Sequence, residues 1–195
     1  MNEKQIIQEI VKGNKNAFEM LYNSVSAKVY NTALSYTKDV GDAEEITQDV
    51  FVKLHKGAAS FKGDSSLETW IYRITVNTSL NYLKKKNRFA LFKSTYPNTQ
   101  TIDFNHPGVL LERKEKAAML FKVMDSLPDR QKTAFILSYI ECLSRKEVAE
   151  IMETSLKAVE SLLQRAKENL RLKLIKTSPN RRKSQKELSK RIRDE

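Results

Sequence analysis

The side chains that most often perform catalysis are few in this sequence and lie far apart. His55 and His106 each stand alone, and the single cysteine, Cys142, lies in an apolar stretch with helical periodicity. No metal-ligand cluster, glycine-rich phosphate loop or nucleophile motif occurs, so the sequence predicts no catalytic residue, no metal and no cofactor. We expect Cys142 to fill space in a core. An enzyme that acts on a small-molecule substrate is therefore disfavoured.

A polar face near the end of the chain is better suited to binding. In SRKEVAEIMETSLKAVESLLQRAKENLRLKL, residues 144–174, two helical patterns are separated by a short turn, ETS, at 153–155. Apolar or small residues mark the buried side of the first helix: Val148, Ala149 and Met152. The buried stripe of the second helix recurs at steps of four, three and four: Val159, Leu163, Ala166 and Leu170. Two such helices are typical of a helix-turn-helix, whose second helix lies in the major groove of DNA.

The side chains opposite that stripe can reach bases or phosphates. They are Lys157, Ser161, Gln164, Arg165 and Glu168. Ser155, at the N-terminus of the same helix, could help to hold a phosphate. An ordinary helical hairpin is the alternative interpretation of this segment taken alone.

The charge of the chain lies in patches. The net charge is +11 over 195 residues, which favours a polyanionic partner. Residues 61–95 and 176–195 each carry a net charge of +5, whereas residues 1–60 carry −1. The first third of the chain therefore suits a different partner from the rest.

Helical periodicity dominates the elements that must position these residues. An amphipathic helix is predicted over 15–37, and a second over 42–57, with Gly41 ending the first and Asp42 capping the second. Ser65 and Glu68 have the spacing of a capping box that opens a long helix. In SLPDRQ, Ser126 or Asp129 could cap a later helix. No stretch alternates with a period of two for long enough to predict a sheet.

These elements predict an all-α protein with two small helical domains joined by a flexible linker. The expected boundaries are 10–90 for the first domain, 91–111 for the linker and 112–175 for the second. Residues 176–195 form a basic tail that we expect to be disordered. No apolar run has the length of a signal peptide or a membrane span, and a lone cysteine fits a reducing compartment, so we expect a cytoplasmic protein without membrane insertion.

Three motifs in order resemble the extracytoplasmic-function (ECF) group of the sigma-70 family, which are bacterial transcription initiation factors. They are DAEEITQDVFVKLHK, FKGDSSLETWIYRITVNTSLNYLKKKNR and LPDRQKTAFILSYIECLSRKEVAEIMETSLKAVESLLQRAKENLRLKL. The resemblance covers roughly residues 10–175. It implies that the first domain is sigma region 2 and the second is sigma region 4, and that the chain directs promoter-specific initiation.

For the acidic helix, the resemblance implies docking on the clamp helices of the RNA polymerase β′ subunit. The implied contacts are Asp42, Glu45, Gln48 and Asp49. Three of these are carboxylates at steps of three and four, so they share one helix face. A solvated acidic face without a partner is the alternative.

The segment 59–84 resembles the part of region 2 that captures the −10 element of a promoter. The implied set is Phe61, Lys62, Asp64, Ser65, Trp70, Arg73, Asn77, Lys84 and Lys85. The loop SFKGDSS would accept a base turned out of the stack, and the basic residues would contact phosphates. Trp70 has the spacing of a core residue, which is the alternative to stacking on a base. Asn81 replaces an acidic residue that many members of the group have.

The second domain, by the same resemblance, reads the −35 element and touches the flap of the polymerase β subunit. Two positions depart from the common pattern of the group. Glu160 stands where many members have a basic residue, and Leu162 stands where an arginine is frequent. Glu160 would repel a phosphate or accept a hydrogen bond from a cytosine amino group. The −35 sequence of better-known relatives should therefore not be assumed.

One other class of protein remains as an alternative, and one further partner is implied. A helix-turn-helix regulator with a sensory N-terminal domain would explain residues 128–175 but not the acidic helix followed by GDSSLETW. Binding to core polymerase separates the two interpretations. The resemblance also implies a membrane-linked anti-sigma partner that holds the factor inactive.

Overall fold

The computed structural model describes residues 2–92 and 120–177, and within these ranges it contains helices and loops but no strand. The helices are α1 (Glu3–Val11), α2 (Lys15–Thr37), α3 (Val40–Gly57), α4 (Leu67–Phe92), α5 (Asp129–Phe135), α6 (Arg145–Ile151) and α7 (Leu156–Thr177). A 3₁₀ turn (Ala58–Ser60) follows α3, a π-type turn (Ile136–Ile140) follows α5, and residues 120–124 are also helical. The predicted all-α fold is confirmed.

Helices α1 to α4 surround one apolar core. The predicted stripe of α3, formed by Ile46, Val50 and Leu54, is buried against α2 and α4. Helix α1 contributes Ile7 and Ile10 to this core, so the packed unit reaches back before residue 10.

Two helix starts differ from the prediction. Lys38, in a left-handed conformation with φ 58°, ends α2, and α3 begins at once with Asp39 as its N-cap. Asp39 Oδ1 accepts a hydrogen bond from the Asp42 amide at 2.9 Å, so Asp42 lies in the first turn and Gly41 inside the helix. At α4, Ser66 rather than Ser65 accepts from the Thr69 amide, at 3.1 Å. Asp39 has the extended backbone geometry that a cap needs, and at α4 the side-chain hydrogen bond identifies Ser66 as the cap.

The start of α5 also differs from the prediction. Neither Ser126 nor Asp129 caps this helix: Pro128 is its N-cap, Asp129 is its first residue, and the Ser126 hydroxyl donates to the Val123 carbonyl at 2.6 Å. The next helix follows the expected pattern, because Ser144 and Glu147 form a capping box that opens α6. The predicted stripe of α7 is buried from Val159 to Leu170.

The prediction that Cys142 fills a core is wrong. The π-type turn ends at Ile140, the chain leaves the helix, and Cys142 adopts a φ of 56° with an exposed thiol. The apolar run that precedes it indicates where the helix lies but does not show that the chain turns before residue 142.

The second core joins the two predicted domains. Its apolar side chains come from residues 121–170, but Tyr36 of α2 and both Tyr72 and Val76 of α4 are buried in the same cluster. The Tyr36 hydroxyl also lies 3.0 Å from the Thr133 hydroxyl of α5. The two helical units therefore pack directly against each other.

Several predictions concern residues beyond those described. Four predicted features lie outside the described residues. They are the linker from residue 93 onwards, His106, the start of the second domain near Glu112, and the tail from residue 178. Among the helices of residues 2–92 and 120–177, none is long and apolar enough to cross a membrane.

Candidate nucleic-acid and protein interfaces

The acidic face of α3 is only partly free in this structure. Glu45, Gln48 and Asp49 are exposed on one side of the helix. Asp42 is engaged within the chain: its carboxylate accepts from the Tyr82 hydroxyl at 2.8 Å and pairs with the Lys86 ammonium at 2.5 Å. The free part of this face is therefore centred on Gln48 and Asp49.

A tyrosine of α4 links two of the predicted polymerase contacts. The Tyr82 hydroxyl lies 2.8 Å from Asp42 Oδ1 and 3.0 Å from Glu45 Oε2. Desolvation, together with these two acceptors, raises the pKa of Tyr82 well above its ordinary value, so its hydroxyl remains a donor to both carboxylates even at alkaline pH. Glu45 is thereby held close to α4 while remaining exposed.

Sequence reasoning missed an apolar member of the same face. Val52 is 50% exposed and follows Gln48 by four residues and Asp49 by three, so it lies beside them on α3. A single exposed valine is common on protein surfaces, so its place in a contact with another protein depends on the neighbouring polar residues. The signal in the sequence was its position outside the stripe of Ile46, Val50 and Leu54.

The predicted −10 loop lies against two other elements of the first domain. Phe61 and Trp70 are half-buried, with ring centroids 5.0 Å apart, and both pack against the first core. The Gly63 backbone has a φ of 78°, and a Cβ there would lie 3.1 Å from Lys4 Cε of α1. Lys62 and Asp64 are exposed at the tip, and Ser65 is half-buried. The loop thus presents a charged tip above an aromatic pair.

Along α4, the predicted phosphate contacts divide into free and engaged residues. Arg73 donates from Nη2 to the Glu150 carbonyl at 2.7 Å, and its Nη1 lies 3.3 Å from the Glu153 carboxylate. Lys84 pairs with Asp129 at 3.4 Å, whereas Lys85 is exposed. Asn77 is exposed but lines a cleft between the two domains. The structure therefore does not bring the whole predicted −10 set together on a free surface.

Helices α6 and α7 form the predicted helix-turn-helix. Val148 and Val159 are fully buried between them, and Ala149 lets the helices approach closely. The predicted polar face of α7 is exposed: Lys157, Ser161, Gln164, Arg165 and Glu168. Ser155 is exposed as well, but its hydroxyl oxygen accepts from the Ala158 amide at 3.2 Å and caps the helix.

A basic and aromatic cluster in the second domain also escaped sequence reasoning. Tyr139 lies between Arg145, which donates to its hydroxyl at 3.1 Å, and Lys167, whose ammonium is 5.0 Å from its ring centroid. The hydrogen bonds from Lys167 and then Arg145 lower the pKa of Tyr139, against some desolvation. Tyr139 and Arg145 are six residues apart, whereas Lys167 is distant in the sequence and reaches them only through the packing of α7. Their two cations can attract phosphate beside α7.

Metal-ligating side chains are not assembled in the part of the chain described here. No group of three or more histidine, cysteine, aspartate or glutamate side chains within it could hold a metal ion. What the described residues offer is a helix with an exposed polar face, a basic helix and an acidic helix. These features define a two-domain helical protein with a helix-turn-helix in its second domain.

Comparisons with known proteins place this architecture in a family. Residues 21–89 match Sigma-70 region 2, and residues 117–170 match Sigma-70 region 4. The chain is 29% identical over 176 residues to the ECF RNA polymerase sigma-E factor of Escherichia coli strain K12, covering 86% of this chain and 92% of that protein. It is 27% identical over 174 residues to the RNA polymerase sigma-H factor of Pseudomonas aeruginosa, covering 85% and 90%.

Solved structures show the same fold. One is CnrH in complex with the cytosolic domain of CnrY, with a TM-score of 0.65 and 21% identity, covering 90% of this chain and 99% of that one. Another is the sigma factor RpoE in complex with the anti-sigma factor NepR from Bartonella quintana, with a TM-score of 0.63 and 22% identity, covering 80% and 96%. The chain belongs to the ECF group of the sigma-70 family, and its activity lies in transcription initiation.

Proposed function

We propose that this sigma factor binds core RNA polymerase through α3 and directs initiation by reading the −10 element with the first domain and the −35 element with α7. Its role is recognition, and the polymerase performs the synthesis. Tethering two DNA-reading domains on one chain makes the second contact intramolecular, which raises the effective affinity for a promoter that carries both elements.

The exposed polar face of α7 is the observation that carries this proposal. The opposite side of the helix is a stripe from Val159 to Leu170 whose side chains are only 0–4% exposed. Burial of this stripe fixes the rotation of α7 about its own axis. A fixed register determines which side chains face the major groove. Gln164 can donate to and accept from adenine, and Arg165 can contact guanine or phosphate.

The site assignments of the two domains follow from this function. The polymerase contacts are Asp42, Glu45, Gln48 and Asp49, joined by Val52. The −10 contacts are Phe61, Lys62, Asp64, Ser65, Trp70, Arg73, Asn77, Lys84 and Lys85. The −35 contacts are Ser155, Lys157, Ser161, Gln164, Arg165 and Glu168. The domains span 10–90 and 112–175, with a linker between them and a basic tail after residue 175.

Further partners belong to the same proposal. The second domain also touches the flap of the β subunit, and an anti-sigma protein holds the factor inactive until a signal releases it. The sigma factor RpoE from Bartonella quintana was solved in complex with the anti-sigma factor NepR, which supports this partner class. We propose a cytoplasmic protein with no catalytic activity, no cofactor and no membrane insertion.

Run-off transcription tests the proposal directly. Purified core polymerase from the source bacterium is incubated with fragmented genomic DNA, with and without the full chain, and transcript starts are mapped. We expect new starts at fixed positions, each preceded by two shared sequence elements. The pair Gln164→Ala and Arg165→Ala should abolish them while core binding persists, and Lys15→Ala, on the exposed start of α2, should leave them unchanged.

The same experiment also defines the result that would refute the proposed function. If the chain neither binds core polymerase nor yields new starts, the proposal fails, and an ordinary DNA-binding regulator takes its place. The alanine pair costs little folding free energy, because both side chains are exposed.

A further inference from the structure

Helix α1 lies beside the predicted −10 loop, although it precedes the segment that matches Sigma-70 region 2. The match begins at residue 21, whereas α1 begins at Glu3. Ile7 and Ile10 are buried in the first core, so α1 is anchored by two apolar side chains. A capping box between Asn2 and Gln5 fixes its first turn. The residues of that turn therefore have a defined position relative to the loop.

The side chain of Glu3 reaches the end of the loop. Its Oε2 accepts a hydrogen bond from the backbone amide of Leu67 at 3.0 Å, and Leu67 is the first residue of α4. The first amides of a helix have no partner within it, and a carboxylate is favourable beside the positive end of the helix dipole. Leu67 is itself buried in the first core. Glu3 thus fixes the point at which the loop enters α4.

The neighbouring residue, Lys4, lies against the middle of the loop. A Cβ at Gly63 would lie 3.1 Å from Lys4 Cε and 3.7 Å from Lys4 Nζ. The aliphatic part of the lysine is therefore in contact with the backbone of Gly63, whose φ of 78° also favours glycine. Two consecutive residues of α1 thus touch the loop, one at its middle and one at its end.

The start of the loop is held by a different contact. The rings of Phe61 and Trp70 pack together on the first core, so the segment between Phe61 and Leu67 is held at its start, its middle and its end. A loop that accepts one base turned out of the stack binds it better when its backbone is fixed beforehand, because less conformational freedom is lost on binding. Two of the three points that fix this loop belong to α1.

We propose that Glu3 and Lys4 are positioning residues for the −10 loop, so that α1 contributes to the choice of the base that the loop accepts. Glu3 acts through the Leu67 amide, and Lys4 acts through the backbone of Gly63. The proposal rests on the −10 role assigned to this loop under the proposed function. It adds a contribution to promoter selectivity from two residues that precede the matched region 2 and act without touching the base.

Selection from a −10 library tests whether α1 acts on the loop. Holoenzyme is assembled from core polymerase and the full chain, and the library keeps the −35 element of one mapped promoter fixed. We expect Glu3→Ala to lower the preference for the favoured base at one −10 position by about fivefold, because the hydrogen bond that fixes the end of the loop is lost. The affinity for core polymerase and the choice of −35 element should not change. Glu19→Ala removes an exposed carboxylate of α2 and should match the wild type.

Conservative variants separate positioning from direct contact with DNA. Glu3→Gln keeps an oxygen that can accept from the Leu67 amide, so it should retain most of the preference. Lys4→Met keeps an aliphatic chain against Gly63 and should retain it too, whereas Lys4→Ala should reduce the preference at the same −10 position as Glu3→Ala. A uniform loss of affinity across the library in Lys4→Met, with a weaker salt dependence, would identify a phosphate contact and overturn the positioning role of Lys4.

The outcomes separate this inference from the proposed function. An unchanged −10 preference in Glu3→Ala and Lys4→Ala, with folding checked by circular dichroism, overturns the role of α1. A loss in these variants that extends equally to core binding and to the −35 element overturns it as well, because it would reflect a general loss of structure. In both cases the proposed function stands if the wild type binds core polymerase and selects promoters. If the wild type does not bind core polymerase, the proposed function fails, and this inference fails with it.

Discussion

A single carboxylate on the exposed side of α7 restricts which base pairs that helix can face. Glu160 lies between Lys157 and Gln164, outside the buried stripe. A carboxylate near DNA is repelled by phosphate, and in the major groove its favourable partner is the amino group of cytosine. We expect promoters of this factor to carry a cytosine at the matching position of the −35 element.

Selection from a −35 library, with holoenzyme assembled from core polymerase, checks this expectation. Glu160→Gln should reduce the preference for cytosine by about tenfold, since one good base contact is worth ~1–3 kcal/mol of discrimination. Glu160→Arg should replace it with a preference for guanine. An unchanged consensus in both variants would show that Glu160 does not face a base, and Glu19→Gln serves as the charge-matched control.

Cys142 shows what periodicity can and cannot reveal about one residue. The apolar residues before it correctly place a helix, but periodicity carries no information on the residue at which the backbone turns. Cys142 adopts a left-handed backbone conformation with a φ of 56°, which turns the chain towards α6 and leaves the thiol exposed. The same limitation explains why Asp42 and Ser65 were predicted as caps in place of Asp39 and Ser66.

Two neighbouring serines, Ser65 and Ser66, allow the N-cap of α4 to be tested by substitution. Ser66 Oγ accepts from the Thr69 amide, whereas Ser65 Oγ lies only near the Ser66 carbonyl, at 3.4 Å. We expect Ser66→Ala to lower the free energy of unfolding by about 1 kcal/mol, and Ser65→Ala to change it by a few tenths at most. Urea denaturation followed by circular dichroism measures both. Equal losses in the two variants would show that the cap is shared.

Helix α3 allows the apolar part of the polymerase contact to be tested by itself. Val52→Asp should lower the affinity for core polymerase by about tenfold, because a desolvated carboxylate without a partner opposes binding. Val11→Asp is the control, since Val11 of α1 is 52% exposed and Val52 is 50% exposed. Both variants should fold normally. Competition binding with fluorescent core polymerase reads out the difference, and equal affinities would place Val52 outside the interface.

At the scale of elements, much of the architecture follows from the sequence alone. The stripes of α3 and α7, the turn at 153–155 and the order of helices are set by local spacing, and the structure confirms them. The contacts around Tyr82 and Tyr139 could not be predicted in this way, because they join residues from separate elements. Periodicity states that a residue is buried or exposed, but the identity of its neighbour depends on tertiary packing.

The arrangement of the whole molecule lies furthest from sequence reasoning. Tyr36, Tyr72 and Val76 lie within the sequence range of the first predicted domain, yet they complete the core of the second. A buried position looks the same in the sequence whether its partner is in the same domain or in the next one. The packing of the two domains against each other is therefore seen only in the structure.

The buried Lys38 at the contact between the two domains predicts a distinct pH dependence. Burial lowers the pKa of Lys38 to about 8 from 10.5, although its hydrogen bond and charge interaction with Asp125 oppose this and the nearby Lys132 adds to it. The unfolded chain therefore binds more protons between pH 8 and 10.5, so the folded state gains stability as pH rises through this window and loses it as pH falls towards 8.

Urea midpoints at pH 7.5, 8.5 and 9.5 measure this effect, and comparison with Lys38→Met removes the contribution of Tyr139, whose pKa is lowered. The midpoint of the wild type should rise with pH, and that of Lys38→Met should not. Lys38→Met should still fold, because the Asp125 carboxylate is half exposed and keeps its ion pair with Lys132. A flat profile in the wild type would show that Lys38 keeps an ordinary pKa.

The position of Arg73 has a consequence for genetics. Its guanidinium joins α4 to the C-terminal end of α6, so a substitution disturbs the packing of two helices as well as any contact to a promoter phosphate. A transcription defect in an Arg73 mutant therefore has to be compared with that mutant's folding before the arginine is assigned to the promoter.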